Sequence, residues 1–448
     1  MNTILITGAT GFVGSNLVKR LTGEGYRIIA LCRKKEGWDR ILNETRGEGI
    51  ESLTPAQPRS NREHLEDVEL IQGDITLPLL GLSGRRFRRL AWQVDTIFHS
   101  AAQTDFTNSN YLFRTNVEGT RHLLQFALLG RKKHFHHISS AYVAGNFNGT
   151  FYEEDFNKKQ SFNNSYEESK FSSEALVRRF ARQHTLPFTV YRPSVIVGDS
   201  ETGRTQCYKG LYAFARAFYL IRELNSKRIN GRVCQREPDR FADVKLPILH
   251  RHVGAGITPA PTVSLHLRTV SVKIPMRIFG DPEALINLVP VDYVVEAIKE
   301  LSQKPEAHGK TFHLTNPRPI TLSQIIDKLT RALRIEGVET QCQASTDLGV
   351  SSLEGYVSSE SLANRKLNPA ERFFLHYTKP YLPYLRSRLC FDDTNTRYAL
   401  NGDVACPEIT QSLVSSLIDR ALEDRWGARH EAGIPATTTG NSTLYVSH

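Results

Sequence analysis

Three glycines, spaced as Thr7-Gly8-Ala9-Thr10-Gly11-Phe12-Val13-Gly14, constrain this chain more than any other feature. They follow an apolar run, Thr3 to Thr7, that reads as a strand. They open a stretch in which Val13, Leu17 and Leu21 recur every four residues, as on one face of a helix. Such a turn presents a helix N-terminus, with its unpaired N–H groups and partial positive charge, to a diphosphate. Gly8 permits the tight turn, Gly11 lets backbone approach the pyrophosphate, and Gly14 lets helix and strand pack closely. Gly8, Thr10, Gly11, Phe12, Val13 and Gly14 are therefore candidate contacts to a dinucleotide.

Short β-rich runs and amphipathic stretches alternate through the first two hundred residues. Strands are predicted at 27–32, 68–72, 95–99, 135–138 and 188–191, with helices at 111–129 and 166–184. The alternation predicts an α/β fold, a Rossmann-type doubly wound parallel sheet with helices on both faces. Residues 1–202 would form the dinucleotide-binding Rossmann domain. Residues 203–340 would form a smaller, mostly helical substrate-binding region, in which 287–316 returns to the core. A C-terminal extension would occupy 341–428 and a disordered tail 429–448. The polar stretch 44–64 reads as a loop, and the basic, Pro-containing stretch 225–275 as an insertion.

Cofactor choice is set at the end of the second strand, where a carboxylate bonds a ribose 2′-hydroxyl and an arginine accommodates a 2′-phosphate. Here stands Leu31-Cys32-Arg33-Lys34-Lys35, with no carboxylate before Glu36, so Arg33 points to NADP(H). After the third strand, Asp74 and Ile75 are placed to meet adenine; the other reading of Asp74 is a turn or cap residue.

Tyr166-Glu167-Glu168-Ser169-Lys170 puts a tyrosine and a lysine four apart on a helix, on one face. A nearby ammonium favours phenolate, so Lys170 is expected to lower the Tyr166 pKa and ready it for proton transfer. Upstream, Ser139 and Ser140 follow a strand, where a hydroxyl can polarise the same substrate oxygen.

Lys+Arg number 57 against 47 Asp+Glu, a net charge of +10. Short basic clusters occur at 85–89 and 131–133. With no zinc-ligand spacing and no aromatic RNA-binding motif, the sequence points to no nucleic acid and no metal, and a phosphate-rich cofactor and substrate account for the sign. Six scattered cysteines without a CxxC pair read as reduced thiols of a cytoplasmic protein. Met1 runs directly into the first strand, which leaves no room for a signal peptide, and no apolar run reaches membrane-spanning length.

The set TGATGFVG, ISSAYVAG, YEESK and YRPSVIVGDSETG resembles the extended short-chain dehydrogenase/reductases. Within them, the runs 192–203 and 287–294 (Asn-Leu-Val-Pro-Val-Asp-Tyr-Val) are most similar to the thioester-reductase and fatty acyl-CoA reductase branch, with its male-sterility-type NAD-binding domain. The resemblance covers about residues 1 to 335; 379–396 is less specifically similar to the C-terminal extension of fatty acyl reductases. It implies Tyr166 as acid, Lys170 as its partner and Ser140, five residues before Gly145, as the oxyanion donor. It implies Ala101, Ala102, Pro193 and Val195 along the cofactor, with Asn116 bracing the sheet. The activity implied is NADPH-dependent reduction of an acyl thioester, on coenzyme A or an acyl carrier protein, to aldehyde or onward to alcohol. Gly203, Tyr208 and Tyr212 are the substrate candidates. Tyr208 and Tyr212 with Phe214 and Phe218 would line an acyl tunnel or, as the alternative, pack an amphipathic helix. Other readings are a dehydrogenase or epimerase acting on a secondary alcohol, ketone or sugar nucleotide, and a non-catalytic dinucleotide sensor. Lys379 and Arg386, flanking Tyr and Leu side chains, suggest peripheral membrane contact through the C-terminal extension.

Overall fold

The computed structural model describes residues 2–47, 68–104, 109–229, 270–342 and 367–427. Seven parallel strands form the central sheet: β1 (Thr3–Thr7), β2 (Arg27–Cys32), β3 (Glu69–Gln72), β4 (Thr96–His99), β5 (His134–Ile138), β6 (Phe188–Pro193) and β7 (Thr311–Leu314). Their order is β7-β6-β5-β4-β1-β2-β3. The order reverses between β1 and β4, and in such sheets ligands bind outside the carboxyl ends of the strands at that reversal.

The helices that matter below are α1 (Phe12–Leu21), α2 (Gly84–Gln93), α3 (Gly119–Ala127), α4 (Ser165–His184), α5 (Leu211–Ile229), α6 (Val291–Ser302), α7 (Pro369–Thr378) and α8 (Gln411–Glu423). Strand side chains alternate, so each face of the sheet has its own core. Ile4 and Ile6 pack with α1 and α6 on one face. Leu5 and Ile97 pack with α2, α3 and α4 on the other. A third core joins α5, α7, α8 and helix Leu322–Ala332 to the parallel strand pair Val272–Phe279 and Ile335–Gln341. The smaller region is thus mostly helical, with two-stranded sheets formed by Val272–Phe279 with Ile335–Gln341 and by Leu285–Ile286 with Ile320–Thr321. Residues 44–47 end a helix, Glu36–Gly47, and do not begin a loop. The rest of that stretch, most of the 225–275 insertion and the 429–448 tail lie outside the described residues. Among the described residues no helix is long and apolar enough to cross a membrane.

The predicted helix 111–129 is three segments: Ser109–Phe113, a π-helical turn Arg114–Glu118, and α3. The widened turn holds Asn116, and such bulges recur at functional sites.

β5 reads His-Phe-His-His-Ile, and its interior histidines are buried. His136 bonds the Tyr191 hydroxyl at 2.9 Å, His137 bonds Ser173 at 3.1 Å, and His99 on β4 lies between Thr7 and Thr120, each at 2.8 Å. Burial lowers all of them, His99 and also His313 to about 3. Stability from a neutral buried histidine is present above its unfolded pKa, near 6.5, and is lost as the pH falls below it. Glu153, pushed up by burial to about 7, and Glu167, also raised, act in the opposite sense. Five imidazoles, His134 included, against the three raised carboxyls of Glu153, Glu167 and Asp393 leave about two protons taken up on unfolding between pH 6.5 and 4.5. At about 1.4 kcal/mol per proton per pH unit, stability falls by about 3 kcal/mol per unit in that window. Urea unfolding followed by circular dichroism at several pH values reads this slope; a flat midpoint from pH 6.5 to 4.5 contradicts it.

Candidate active site

The glycine turn has the geometry that its spacing requires. Gly8 adopts φ +71°, and a Cβ there would meet Ala101 N at 2.6 Å, so the loop after β4 lies directly against it. A Cβ on Gly14 would fall 2.1 Å from the Gly8 carbonyl oxygen, so helix and turn touch there. Gly11 caps α1 without any side-chain bond to the first N–H groups of the helix. These features fit a dinucleotide diphosphate on Gly11, Phe12 and Val13. Thr10 packs against Gly37. Ala101 and Ala102 follow β4 at the reversal point, where the Ala101 N–H donates to Thr7 Oγ1 at 3.4 Å.

Arg33 is exposed at the carboxyl end of β2, and its guanidinium donates to the Tyr111 hydroxyl at 2.5 Å. Asp74 Oδ1 accepts the Thr76 N–H at 2.8 Å, so its turn role is realised. The Ile75 side chain packs beside Gly119. Asn116 accepts the Gln103 N–H at 2.7 Å and donates to the Gln103 carbonyl at 3.0 Å and to Ser169 Oγ at 2.8 Å. It therefore braces the loop after β4 against α4; the expectation that it braces the sheet is corrected, because its polar atoms point into that loop.

The Tyr166 hydroxyl is hydrogen-bonded to Ser140. Neighbouring Ser139 is turned away and donates to Glu174 at 2.6 Å. Lys170 is buried, and its ammonium donates to the Ile138 carbonyl at 2.7 Å. Burial lowers Lys170 to about 8. Tyr166 moves up to about 12, chiefly through burial, with Cys207 and Glu167 adding to it and the Ser140 bond opposing. This reverses the expected direction: the lysine charge is directed at a carbonyl, and desolvation of the phenolate prevails. The phenol is consequently held protonated, as a proton donor must be.

Behind the serines lies a buried charge network. Arg192 donates two bonds to Glu174, at 2.7 and 3.1 Å, and both side chains are fully buried. Arg178 also bonds Glu174, and the Arg192 and Arg178 charges hold its carboxyl well below the usual range despite burial. His313 on β7 lies 3.2 Å from Arg192 and 2.6 Å from the Asp392 carbonyl, so its Nδ1 donates and its Nε2 accepts.

The two long motifs clamp each other. Ser194 donates to Asn287 at 2.7 Å, and Asn287 donates to the Asn316 carbonyl at 2.8 Å. Val195–Val197 pairs in parallel with Leu288–Pro290. Ser200 bonds both oxygens of Asp292. Pro193 and Val195 thereby sit at the carboxyl end of β6, fixed by the second motif.

The tunnel reading is corrected. Tyr212 is fully buried in the third core, and its hydroxyl accepts the Gly198 N–H at 3.0 Å. Tyr208 donates to Asp424 at 3.0 Å, and a Cβ on Gly203 would meet Ser416 O at 2.7 Å. Phe214 and Phe218 pack on Phe374. Phe214 and Phe218 face α7, Gly203 and Tyr208 face α8 or the turn after it, and Tyr212 bonds Gly198; an amphipathic pattern does not distinguish a packed core from a tunnel wall.

The segment that does cross the cleft is 204–210. Gln206 accepts from Ser15 of α1 at 3.1 Å, Cys207 lies near Tyr166, and Lys209 donates to Thr104 at 2.7 Å. Sequence reasoning missed these residues. It also missed the anchor of the C-terminal extension: Tyr384 donates to buried Glu167 at 2.5 Å and accepts from Asn164 at 2.8 Å, at the start of α4. Within Lys379–Arg386, Tyr384 is thus packed at the site and Leu385 is buried, while Lys379 and Arg386 are exposed.

Fold and site together define an extended short-chain dehydrogenase/reductase. The chain belongs to the family described as male sterility protein, an NAD-binding family whose match covers residues 6–231. It is 24% identical over 430 residues to a linear gramicidin synthase component of Brevibacillus parabrevis, covering 93% of this chain and 7% of that protein. It is 25% identical over 439 residues to a carboxylic acid reductase of Mycobacterium tuberculosis, covering 93% of this chain and 34% of that protein. The chain thus spans a minor part of these curated relatives. Among solved structures, the terminal R domain from the myxalamid PKS-NRPS biosynthetic pathway aligns with a TM-score of 0.65 at 25% identity, over 95% of this chain and 92% of that one. A UDP-glucuronic acid 4-epimerase from Bacillus cereus, at 13% identity and a TM-score of 0.56, shares the fold, over 95% of this chain and 98% of that one.

Proposed function

We propose that the chain is an NADPH-dependent reductase of an acyl thioester, releasing an aldehyde and continuing to the alcohol where the aldehyde is retained. The observation that carries this reading is the Ser140–Tyr166–Lys170 group at the carboxyl end of β5, next to β4 and the reversal point, within a chain similar along nearly its whole length to a carboxylic acid reductase and to a synthase-terminal R domain. Those relatives also favour a thioester held on a carrier protein over free acyl-CoA.

NADPH, when bound, supplies the hydride. Gly11, Phe12 and Val13 hold its diphosphate, Arg33 its 2′-phosphate, and Asp74 with Ile75 its adenine. Ala101, Ala102, Pro193 and Val195 border the reactive end, with Lys170 reaching the ribose. Ser140 and Tyr166 would donate to the carbonyl oxygen as negative charge develops on it, Tyr166 giving up its proton to form a hemithioacetal, whose C–S bond then breaks to release the aldehyde and the carrier's thiol. Asn116 keeps the loop of Ala101 and Ala102 fixed against α4.

The test is NADPH oxidation at 340 nm with matched acyl-carrier, acyl-CoA and aldehyde substrates. Consumption with the carrier-bound thioester is expected; tight NADPH binding with no consumption on any of the three refutes the reading. Replacing Arg33 with Ala is expected to raise the KM for NADPH by about 10- to 100-fold, the loss of a charge-assisted contact, and to leave that for NADH nearly unchanged. Equal effects on both nucleotides would remove Arg33 from 2′-phosphate recognition.

A further inference from the structure

The basic run at 85–89 finds no use in the site, and the structure shows what it is part of. It lies on α2, whose Phe87, Leu90 and Ala91 are buried against the sheet. Arg85, Arg88, Arg89 and Trp92, at helical spacings of three, four and seven, share the outer face. All four are exposed, as is Arg86 beside them. Among the described residues none of the four arginines forms an ion pair or hydrogen bond through its side chain, although Arg-rich surfaces elsewhere in the chain are interleaved with carboxylates.

The face continues onto the turn after α3. Arg131 N donates to the Ala91 carbonyl at 3.4 Å, and a Cβ on Gly130 would fall 2.3 Å from the same oxygen, so the turn lies directly on the end of α2. This turn is held rigid. Lys133 is buried, and its ammonium donates to the carbonyls of Leu129 and Arg131 while sitting 5.4 Å over the Phe126 ring. Leu128 and Leu129 are thereby presented outward, 42% and 45% exposed, beside Trp92 at 64%. The turn leading into α2 exposes Leu77 and Leu79 as well, Leu79 with φ +53°. Of the eight large hydrophobic residues exposed among the described residues, three, Trp92, Leu128 and Leu129, belong to this surface, while Leu77 and Leu79 lie beyond the opposite end of α2, by the carboxyl end of β3. Lys132 adds a further exposed cation.

We propose that this surface, α2 together with the 128–132 turn, rests on an anionic lipid membrane. Its chemistry is that of an interfacial element: exposed arginines for lipid phosphates and carboxylates, aliphatic side chains to enter the acyl boundary, and a tryptophan at the junction. A nucleic acid would use the arginines, but it offers nothing to the exposed leucines, and a single tryptophan supplies no stacking series. A carrier protein delivering a thioester is disfavoured by position. The ends of α2 and α3 lead into the amino ends of β4 and β5, whereas Ser140, Tyr166 and the glycine turn lie at the carboxyl ends.

The experiment is co-sedimentation of the full chain with vesicles of phosphatidylcholine, with and without about one third phosphatidylserine. Binding is expected to the serine-containing vesicles, to weaken as NaCl rises, and to be near background on pure phosphatidylcholine. Arg85→Gln with Arg89→Gln is expected to weaken it about 30-fold, at about fivefold per basic residue. Trp92→Ser with Leu128→Ser is a second, charge-neutral variant expected to weaken it as well. NADPH binding and melting temperature, unchanged in both variants, report that they are folded. Failure to bind serine-containing vesicles at low salt overturns the proposal, as does equal binding to neutral ones. So does release from the vesicles by stoichiometric polyuridine, which would make the face a nucleic-acid site.

Discussion

Replacing Tyr166 with Phe is expected, on the proposed function, to lower turnover of an acyl thioester by about 100- to 10,000-fold and to leave NADPH affinity within about twofold of the original. The substitution removes one oxygen, and that oxygen is the hydrogen-bonded partner of Ser140. The ring remains in place on α4, so the cofactor cradle, built from the turn after β1 and the loop after β4, is untouched. Steady-state oxidation at 340 nm together with fluorescence titration of NADPH separates the two quantities. Loss of both would mean that the ring, not the hydroxyl, matters. The pH profile carries a second signature. Tyr166, held up at about 12, stays protonated throughout the neutral range, whereas Lys170 sits near 8. Activity is expected to decline above about pH 8 as the lysine loses its proton, and a profile flat to pH 10 would detach its charge from the reaction.

The second large effect is on stability. Glu174→Gln is expected to cost about 3–5 kcal/mol, because it leaves the guanidinium of Arg192 buried without a counter-charge. Both side chains are fully buried, so water does not replace the lost partner. In a protein whose whole margin is about 5–15 kcal/mol, that loss is a large share. Replacing both members, Glu174→Leu with Arg192→Met, is expected to recover at least half of it, since the lone charge then left, Arg178, is 20% exposed and reaches water. Urea denaturation followed by circular dichroism measures both; a single-variant cost under about 1 kcal/mol would show that the pair contributes little.

Whatever is encoded within one strand-turn-helix was legible in the sequence. The glycine turn and the Tyr166–Lys170 spacing each depend on residues within a few positions of one another, whereas Ser140 over Ser139 was implied by the family resemblance, and the structure has Ser140 at Tyr166 and Ser139 at Glu174. What was not legible joins distant positions. Tyr384 reaches Glu167, Asn287 reaches Ser194, and Gln206 reaches Ser15, and no local pattern in the chain marks these pairs. Tyr208 and Tyr212 were misplaced for a related reason: an aromatic helix face reads the same whether it meets a substrate or a neighbouring helix. The Tyr166 shift was misjudged because distance along α4 says nothing about where the lysine ammonium is directed.

The seventh strand has a consequence for how this chain is made. β7 comes from Thr311–Leu314, yet it pairs with β6 at Phe188–Pro193 and brings His313 to Arg192. Until residue 314 has left the ribosome, β6 is an unprotected edge of hydrophobic strand with a buried arginine still lacking one partner. Long-range pairing of this kind slows folding and exposes a template for aggregation. A fragment ending near residue 231, where the family match stops, carries every residue of the Ser-Tyr-Lys group but not the strand that closes the sheet, and it should be recovered largely as aggregate.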